Sequence, residues 1–81
     1  MEVWLDAQKV GSLIRSKRHK AGMTQEALSG LAVINRTHLS SIERGKRLPI
    51  LDVLFRLCYA LNIDVCDMIN EIKQYFSIET L

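Results

Sequence analysis

The sequence predicts an all-α fold, a compact bundle of five helices in a single domain. Three observations predict it: apolar residues recur at helical spacing along most of the chain, helix-capping residues bound these stretches, and no strand-like alternation or internal repeat is present. The chain has 81 residues, of which 48% are apolar. That fraction is ample for one small core and exceeds what a monomer of this size needs to bury. We therefore expect one domain over residues 1–81 and an additional subunit interface.

The first helix is predicted to begin after Asp6, whose carboxylate can cap it, and to run to about Ala21. Gly22 ends it, because glycine adopts the left-handed conformation at little steric cost. Trp4 or Leu5 is expected to pack back onto the first turn as a hydrophobic staple. The apolar positions of this helix at i, i+3 and i+4 spacing are Val10, Leu13 and Ile14.

The next two predicted helices form a closely spaced pair. Thr24 caps the second helix, which runs to about Leu31, and Asn35 opens the third, which closes at Gly45. The expected core positions of the pair are Ala27, Leu28, Leu31, Leu39 and Ile42. A connection of three to four residues between two short helices is typical of a helix-turn-helix unit, in which the second helix can lie against a DNA groove.

Two further helices complete the bundle. Pro49 presets the start of a fourth helix over about Ile50 to Leu61, Asn62 stops it in the left-handed conformation, and Asp64 caps the fifth. The expected buried face of the fourth helix is Leu51, Leu54, Leu57, Cys58 and Leu61. The fifth carries Val65, Met68, Ile69 and Ile72, with Tyr75 and Phe76 as candidates to continue it.

Charge is divided unevenly along the chain. Residues 9–47 contain nine lysines or arginines and two acids, whereas the remainder contains two basic and seven acidic residues. A basic half with a helix-turn-helix beside an acidic, apolar half indicates a DNA-binding face backed by a dimerisation face. We expect residues 64–81 to supply the dimerisation helix and tail, the alternative being that they only close the monomer core. The candidate interface residues are Ile69, Ile72, Tyr75, Phe76 and Ile78.

Several other function classes find little support. Five aromatic residues are few for a platform that stacks single-stranded nucleic acid. An enzyme is not expected, since there is no nucleophile–base pair, carboxylate cluster or phosphate-cradling glycine loop. His19 and His38 lie far from Cys58 and Cys66, so no metal or other cofactor is predicted. The cysteines are interpreted as small buried hydrophobes in a reducing compartment, with an intermolecular disulfide or redox switch as the alternative. With neither a membrane-length apolar run nor a signal peptide, we expect a cytoplasmic protein.

Four segments carry a family resemblance: Arg15–Arg18 (RSKR), Gly22–Glu26 (GMTQE), Arg36–Gly45 (RTHLSSIERG) and Lys46–Pro49 (KRLP). In this order and spacing they resemble the Cro/C1-type (XRE-like) helix-turn-helix family, which includes lambdoid phage repressors and restriction-modification controller proteins. The resemblance covers about residues 10–69. It implies a lambda repressor-like DNA-binding fold.

The resemblance also implies roles for individual residues. Those on or beside the outward face of the third helix, expected to read base edges, are Arg36, Thr37, Ser40 and Ser41. Those expected to contact the DNA backbone are Gln25, Asn35, His38, Lys46 and Arg47. Arg18 and Glu43 match an interhelical ion pair, a structural role. Each of these roles has an alternative. Arg36, Ser40, Ser41 and His38 could be ordinary surface residues that contact no DNA, and Asn35 could serve only as a helix cap.

The chain departs from the family pattern at three positions. Val33 stands where the turn usually has glycine, and a β-branched residue resists a positive φ, so we expect a remodelled turn. Ser29 replaces the usual alanine at the crossing of the second and third helices. Ile50 replaces the usual Ser or Thr cap of the fourth helix.

Together these features predict a sequence-specific regulator of transcription that binds double-stranded DNA as a homodimer on an inverted repeat. By occupying its operator it would either block RNA polymerase or recruit it. Compactness and the Arg36–Thr37 start of the third helix favour a restriction-modification controller. A small phage or host repressor and an antitoxin-like subunit that also binds DNA are the alternatives.

Overall fold

A computed structural model describes residues 2–79, so Met1, Thr80 and Leu81 at the ends of the predicted domain and tail lie outside the described residues. It contains five α-helices, a short 3-10 turn over Lys73–Tyr75 and two strands. The helices are α1 (Ala7–Lys20), α2 (Gln25–Ala32), α3 (Arg36–Glu43), α4 (Leu51–Leu61) and α5 (Val65–Ile72). The strands are β1 (Glu2–Leu5) and β2 (Phe76–Glu79). The predicted all-α class and its five helices are confirmed.

Four of the helices begin at the capping side chains that the sequence predicts. Asp6 accepts a hydrogen bond from the Lys9 amide at 3.1 Å, and Thr24 accepts one from the Ala27 amide at 3.0 Å. Asn35 accepts from the Thr37 amide at 2.7 Å, and Asp64 from the Cys66 amide at 2.7 Å. Each bond satisfies an amide that has no partner within the helix. Ile50 precedes α4 without a side-chain cap.

The core lies between the helices, and two of its faces differ from prediction. Leu28, Leu39, Ile42 and Leu57 are buried as expected, but Ala27, Leu31 and Leu51 are exposed. On α2 the buried positions are Leu28, Ser29 and Ala32. Ala27 and Leu31 lie on the solvent side of α2, outside this inward face. On α4, Val53 rather than Leu51 completes the buried face.

The expectation of an entirely helical chain without strands is wrong at the two ends. β1 pairs antiparallel with β2, with Val3 opposite Ile78 and Leu5 opposite Phe76. Each strand has four residues, too few for alternation to stand out in the sequence, and the partners come from opposite ends of the chain. Because α5 ends at Ile72, Tyr75 and Phe76 do not extend it.

The sheet is joined to the helices at the start of α1. The Asp6 amide donates to the Tyr75 carbonyl at 3.1 Å, so the two chain ends are tied together beside the first helix. Leu5 packs against the core, whereas Trp4 is 44% exposed and lies outside the core cluster. Of the two candidates for the hydrophobic staple, Leu5 is therefore the one in contact with the core.

The turn between α2 and α3 is not remodelled, contrary to expectation. Val33 adopts the left-handed conformation, with φ 56° and ψ 50°. Two hydrogen bonds close α2 there, from the Val33 amide to the Gly30 carbonyl and from the Ile34 amide to the Ser29 carbonyl. The Val33 side chain is 74% exposed, so the strain is local to its backbone. The buried Ser29 hydroxyl donates to the Glu26 carbonyl at 3.2 Å and is satisfied.

A glycine contact sets the position of α3 on α1. Gly11 lies in the middle of α1 against the backbone of α3, where an added β-carbon would overlap the Ile42 carbonyl oxygen. The same atom would lie 2.8 Å from the Glu43 carbonyl oxygen. The two helices are therefore in backbone contact, and α3 is placed by a glycine as well as by apolar packing.

Candidate nucleic-acid interface

The first half of α3 presents polar side chains outward from a buried anchor. Leu39 and Ile42 are fully buried, and they fix which side of the helix faces the core. Arg36 and Thr37 are exposed in the first turn. The residues beside them on the outward face, Ser40 and Ser41, are partly buried. The four residues predicted to read base edges thus lie on or beside one helix surface.

The residues predicted to contact a DNA backbone lie around the helix ends. Asn35 is exposed but its side chain caps α3, so its structural role is present. Lys46 and Arg47 are exposed in the loop after α3, and the Lys46 amide donates to the Ser41 carbonyl at 2.9 Å. His38 is partly buried. Among the described residues, Arg36, Lys46 and Arg47 have no ion pair, so their charges are available to a phosphate.

Arg18 and Glu43 form the interhelical ion pair that the resemblance implies. The Arg18 guanidinium donates through Nε at 2.8 Å and through Nη2 at 2.9 Å to the two carboxylate oxygens of Glu43. Its Nη1 donates to the Met23 carbonyl at 2.9 Å, which also holds the loop before α2. Both residues are only 7% exposed. Paired in this fork geometry, the two buried charges are satisfied.

The ionisation of both groups follows from this pairing. The hydrogen bond to Glu43 raises the pKa of Arg18 above its ordinary value. Burial by itself would raise the pKa of Glu43, but hydrogen bonds from Arg18 and Gln25 outweigh it and hold the pKa below the ordinary 4.5. At neutral pH the carboxylate is therefore charged, and its charge is neutralised within the domain.

Gln25 makes two contacts that the sequence does not reveal. Its Nε2 donates to Glu43 Oε1 at 3.1 Å, and its Oε1 accepts from Arg36 Nη1 at 3.4 Å. These side chains lie 18 and 11 positions from Gln25 in the chain, so no spacing rule brings them together. Gln25 and Arg36 also line a shallow cleft between α2 and α3, together with Arg18, Thr24 and Glu26.

The candidate interface residues divide between core and surface. Ile72 is buried in the monomer core and is not free for a second subunit, which corrects its predicted role. Tyr75 packs partly against the core, whereas Ile69, Phe76 and Ile78 are exposed. Ile69 also lines an apolar groove between α4 and α5. The other residues of this α4–α5 groove are Leu51, Phe55, Val65, Cys66, Asn70 and Lys73.

The two cysteines differ in exposure. Cys58 is buried, as expected, but Cys66 is exposed, because it lies on the outer side of the first turn of α5. Over residues 2–79, no group of three or more His, Cys, Asp or Glu residues is arranged to hold a metal ion. None of the helices in that range has the length and apolar character needed to cross a membrane.

Sequence comparisons identify relatives along most of the chain. The sequence model of the family described as helix-turn-helix matches residues 14–68. The ImmF control region 10 kDa protein of Bacillus phage phi105 is 36% identical over 61 residues, which are 75% of this chain and 68% of that protein. An uncharacterised HTH-type transcriptional regulator of Sinorhizobium fredii, y4dJ, is 33% identical over 67 residues, 82% of this chain and 87% of its own.

Comparison of structures agrees with these matches. The crystal structure of the restriction-modification controller protein C.AhdI from Aeromonas hydrophila superposes with a TM-score of 0.75 at 32% sequence identity. The match covers 78% of this chain and 96% of that protein. The residues that the family model matches, 14–68, include the capped helices α2 and α3 and the buried residues that anchor α3. The chain belongs to the Cro/C1-type helix-turn-helix family of DNA-binding transcriptional regulators.

Proposed function

We propose that this protein binds one specific sequence of double-stranded DNA as a homodimer and regulates transcription by occupying an inverted-repeat operator. The observation that carries the proposal is the exposed first turn of α3, where Arg36 and Thr37 project from a rigidly anchored helix. Lys46 and Arg47, exposed in the following loop, add positive charge beside it. A helix presented in this way can enter a major groove N-terminus first.

The residues of this face have separable roles in the proposal. Arg36 would donate to O6 and N7 of a guanine with its planar fork, and Thr37 would contact a thymine methyl group or a phosphate. Ser40 and Ser41 line the same surface and would read neighbouring positions. The backbone contacts, which position α3 without reading sequence, are assigned to Gln25, Asn35, His38, Lys46 and Arg47.

The proposed dimer interface is the exposed apolar surface near the end of the chain. Ile69, Phe76 and Ile78 remain candidates, and Leu51 and Phe55 of the α4–α5 groove join them because they are exposed beside Ile69. A single recognition helix reads too few base pairs for physiological affinity, whereas two related by a two-fold axis double the contact. Residues 64–81 would thus supply much of the interface, with α4 contributing the rest.

The proposed biological context is a restriction-modification system, because C.AhdI, a restriction-modification controller, shares the fold at 32% identity. Similarity to a protein of a phage control region favours a small phage regulator as the second candidate. In either context the protein would act in the cytoplasm and would block RNA polymerase or recruit it from the operator. An antitoxin-like role, in which a partner protein is neutralised, gains no specific support from the surfaces described above.

Selection of duplexes from a random pool, followed by binding titrations, tests the DNA-binding proposal. Affinity should fall steeply as salt rises, because phosphate contacts release counterions. Lys46→Ala should weaken specific and non-specific binding about equally and flatten the salt dependence. A flat salt response of the unaltered protein would contradict the proposal.

The base-reading role of Arg36 needs its own measurement. Arg36→Ala should cost about 1–3 kcal/mol on the selected site and relax preference at one base pair of each half-site. The affinity is measured for the selected duplex and for duplexes substituted at each position in turn. A uniform loss across all duplexes would make Arg36 a phosphate contact.

A further inference from the structure

The ribbon formed by β1 and β2 has one apolar face. The register pairs Val3 with Ile78 and Leu5 with Phe76, and side chains that are paired in this way lie on the same face of a sheet. Leu5 packs against the core, but Val3, Phe76 and Ile78 are 56%, 50% and 63% exposed. A ribbon of two strands is marginally stable in water unless its apolar face is covered. Within residues 2–79 nothing covers this apolar ribbon face, made of Val3, Phe76 and Ile78.

The α4–α5 groove is a second uncovered apolar surface, and its size matches the ribbon. The groove has a volume of about 430 Å³, and its α5 side consists of Cys66, Ile69, Asn70 and Lys73. From Cys66 to Lys73 the helix axis rises about 10 Å. Each strand of the ribbon has four residues, which span about 13 Å. The ribbon is therefore long enough to fill the groove from one end to the other.

The charges of the two surfaces are complementary. Glu2 and Glu79 stand opposite each other in the register, at the end of the ribbon away from the helices. Like charges directly opposite each other disfavour strand pairing, so a cation placed beside them would stabilise the ribbon. Lys73 lies in the groove at the C-terminal end of α5, and it forms no ion pair among the side chains that the structure describes. The acidic end of the ribbon thus fits the lysine end of the groove.

We propose that the apolar ribbon face of each subunit fills the α4–α5 groove of a second copy of this chain. The inference rests on the proposed homodimer and specifies how its subunits meet. A two-fold dimer needs a self-complementary surface, and the axis repeats the contact, so two ribbons and two grooves are covered at once. The ribbon follows the C-terminal end of α5. Antiparallel α5 helices therefore bring the base of each ribbon to the Cys66 end of the other groove and its acidic end to Lys73. Val3, which lies outside residues 64–81, becomes an interface residue.

Sedimentation equilibrium in the absence of DNA tests the inference by measuring the dissociation constant of the dimer. Val3→Ser and Ile78→Ser should each raise this constant about tenfold or more, because each removes one apolar side chain from the contact. Leu31→Ser, a change on α2 at a residue that is 58% exposed, should leave it unchanged. Lys73→Glu should also raise the dissociation constant, whereas Lys20→Glu, the same charge change at an exposed position of α1, should not.

The possible results separate this inference from the proposed function. If the unaltered protein dimerises and Val3→Ser and Ile78→Ser dimerise as tightly, the ribbon contact is overturned while the proposed homodimer stands. If the unaltered protein sediments as a monomer at every concentration and binds its operator as a monomer, the proposed homodimer fails and the ribbon contact fails with it. Val3, Ile78 and Lys73 are exposed in the monomer, so each variant should keep the helical circular dichroism spectrum of the unaltered protein.

A direct measurement of the contact needs no substitution. Isotope-labelled and unlabelled protein are mixed, and an isotope-filtered nuclear Overhauser experiment then records only contacts between subunits. The methyl groups of Ile78 should show contacts with Ile69 or Phe55 of the partner subunit. If Ile69 contacts only Ile69 of the partner subunit and the ribbon shows no contact between subunits, the helices alone form the interface and the inference is overturned.

Discussion

The contact between α1 and α3 at Gly11 makes Gly11→Ala the sharpest test of how α3, the proposed recognition helix, is held. The added β-carbon would overlap the Ile42 carbonyl oxygen and lie 2.8 and 3.0 Å from the carbonyl oxygen and carbon of Glu43. All three are backbone atoms of α3. No change of rotamer relieves the overlap, so α3 must shift away from α1.

The expected magnitude follows from two opposing terms. Overpacking of a well-filled core typically costs about 1–3 kcal/mol, and more where backbone must move. Alanine in place of glycine inside a helix returns about 1 kcal/mol of helix propensity. Because the overlap here is with backbone, we expect a cost at the upper end, about 2–3 kcal/mol, and therefore a net destabilisation of about 1–2 kcal/mol. In a domain of this size each kcal/mol lowers Tm by about 4–8 °C.

Gly30 provides the matched control for this substitution. It also lies inside a helix, α2, but a β-carbon there would meet nothing within 4 Å. Gly30→Ala should therefore stabilise the domain by about 0.5–1 kcal/mol. Urea unfolding followed by circular dichroism measures both variants. If Gly11→Ala is as stable as Gly30→Ala, α3 is not held in backbone contact with α1 and the packing described above is wrong.

Three further predictions concern the turn, the ion pair and the cysteines. Val33→Gly should raise the free energy of unfolding by about 0.5–1 kcal/mol, because it relieves a left-handed β-branched residue whose side chain is exposed; a lower urea midpoint would refute this. The pKa of Glu43 is lowered by folding, so its contribution to stability is present above the ordinary 4.5 and is lost as pH falls through the folded pKa. The acid-induced loss of stability below that pH should accordingly be smaller in Glu43→Gln, and equal pH profiles would contradict the assignment. Cys66 should react with a thiol reagent in dilute native protein and become protected at higher protein concentration, because dimerisation would cover the α4–α5 groove. Cys58 is buried, and burial raises the pKa of its thiol, so it should react only on unfolding. A reaction rate at Cys66 that does not depend on protein concentration would argue against this interface.

The positions of the five helices could be predicted from the sequence because helix starts and ends depend on local chemistry. Capping residues such as Asp6, Thr24 and Asn35 mark helix starts through bonds to amides two or three positions away. The Arg18–Glu43 pair came from the family resemblance, since it joins residues 25 positions apart. The two strands escaped prediction because each is short and its partner lies at the other end of the chain.

Other features depended on relations that a single sequence does not record. Leu31 and Leu51 share the apolar spacing of core residues. Which side of a helix faces the core, however, depends on how the neighbouring helices pack against it. A β-branched residue such as Val33 disfavours the left-handed conformation, yet the hydrogen bonds that close α2 hold Val33 in it. The contact between Gln25 and Arg36 depends on how α2 and α3 are packed, so the residue types were identifiable and their connection was not.

We propose that a two-fold dimer places α3 in two successive major grooves of an inverted repeat. Half-site centres should then lie about one helical turn apart, roughly 34–36 Å along the duplex. Lengthening the spacer of the selected operator by roughly five base pairs turns one half-site to the opposite side of the DNA. This insertion should abolish cooperative dimer binding. Undiminished affinity for the lengthened operator would contradict it, because each subunit would then be binding alone.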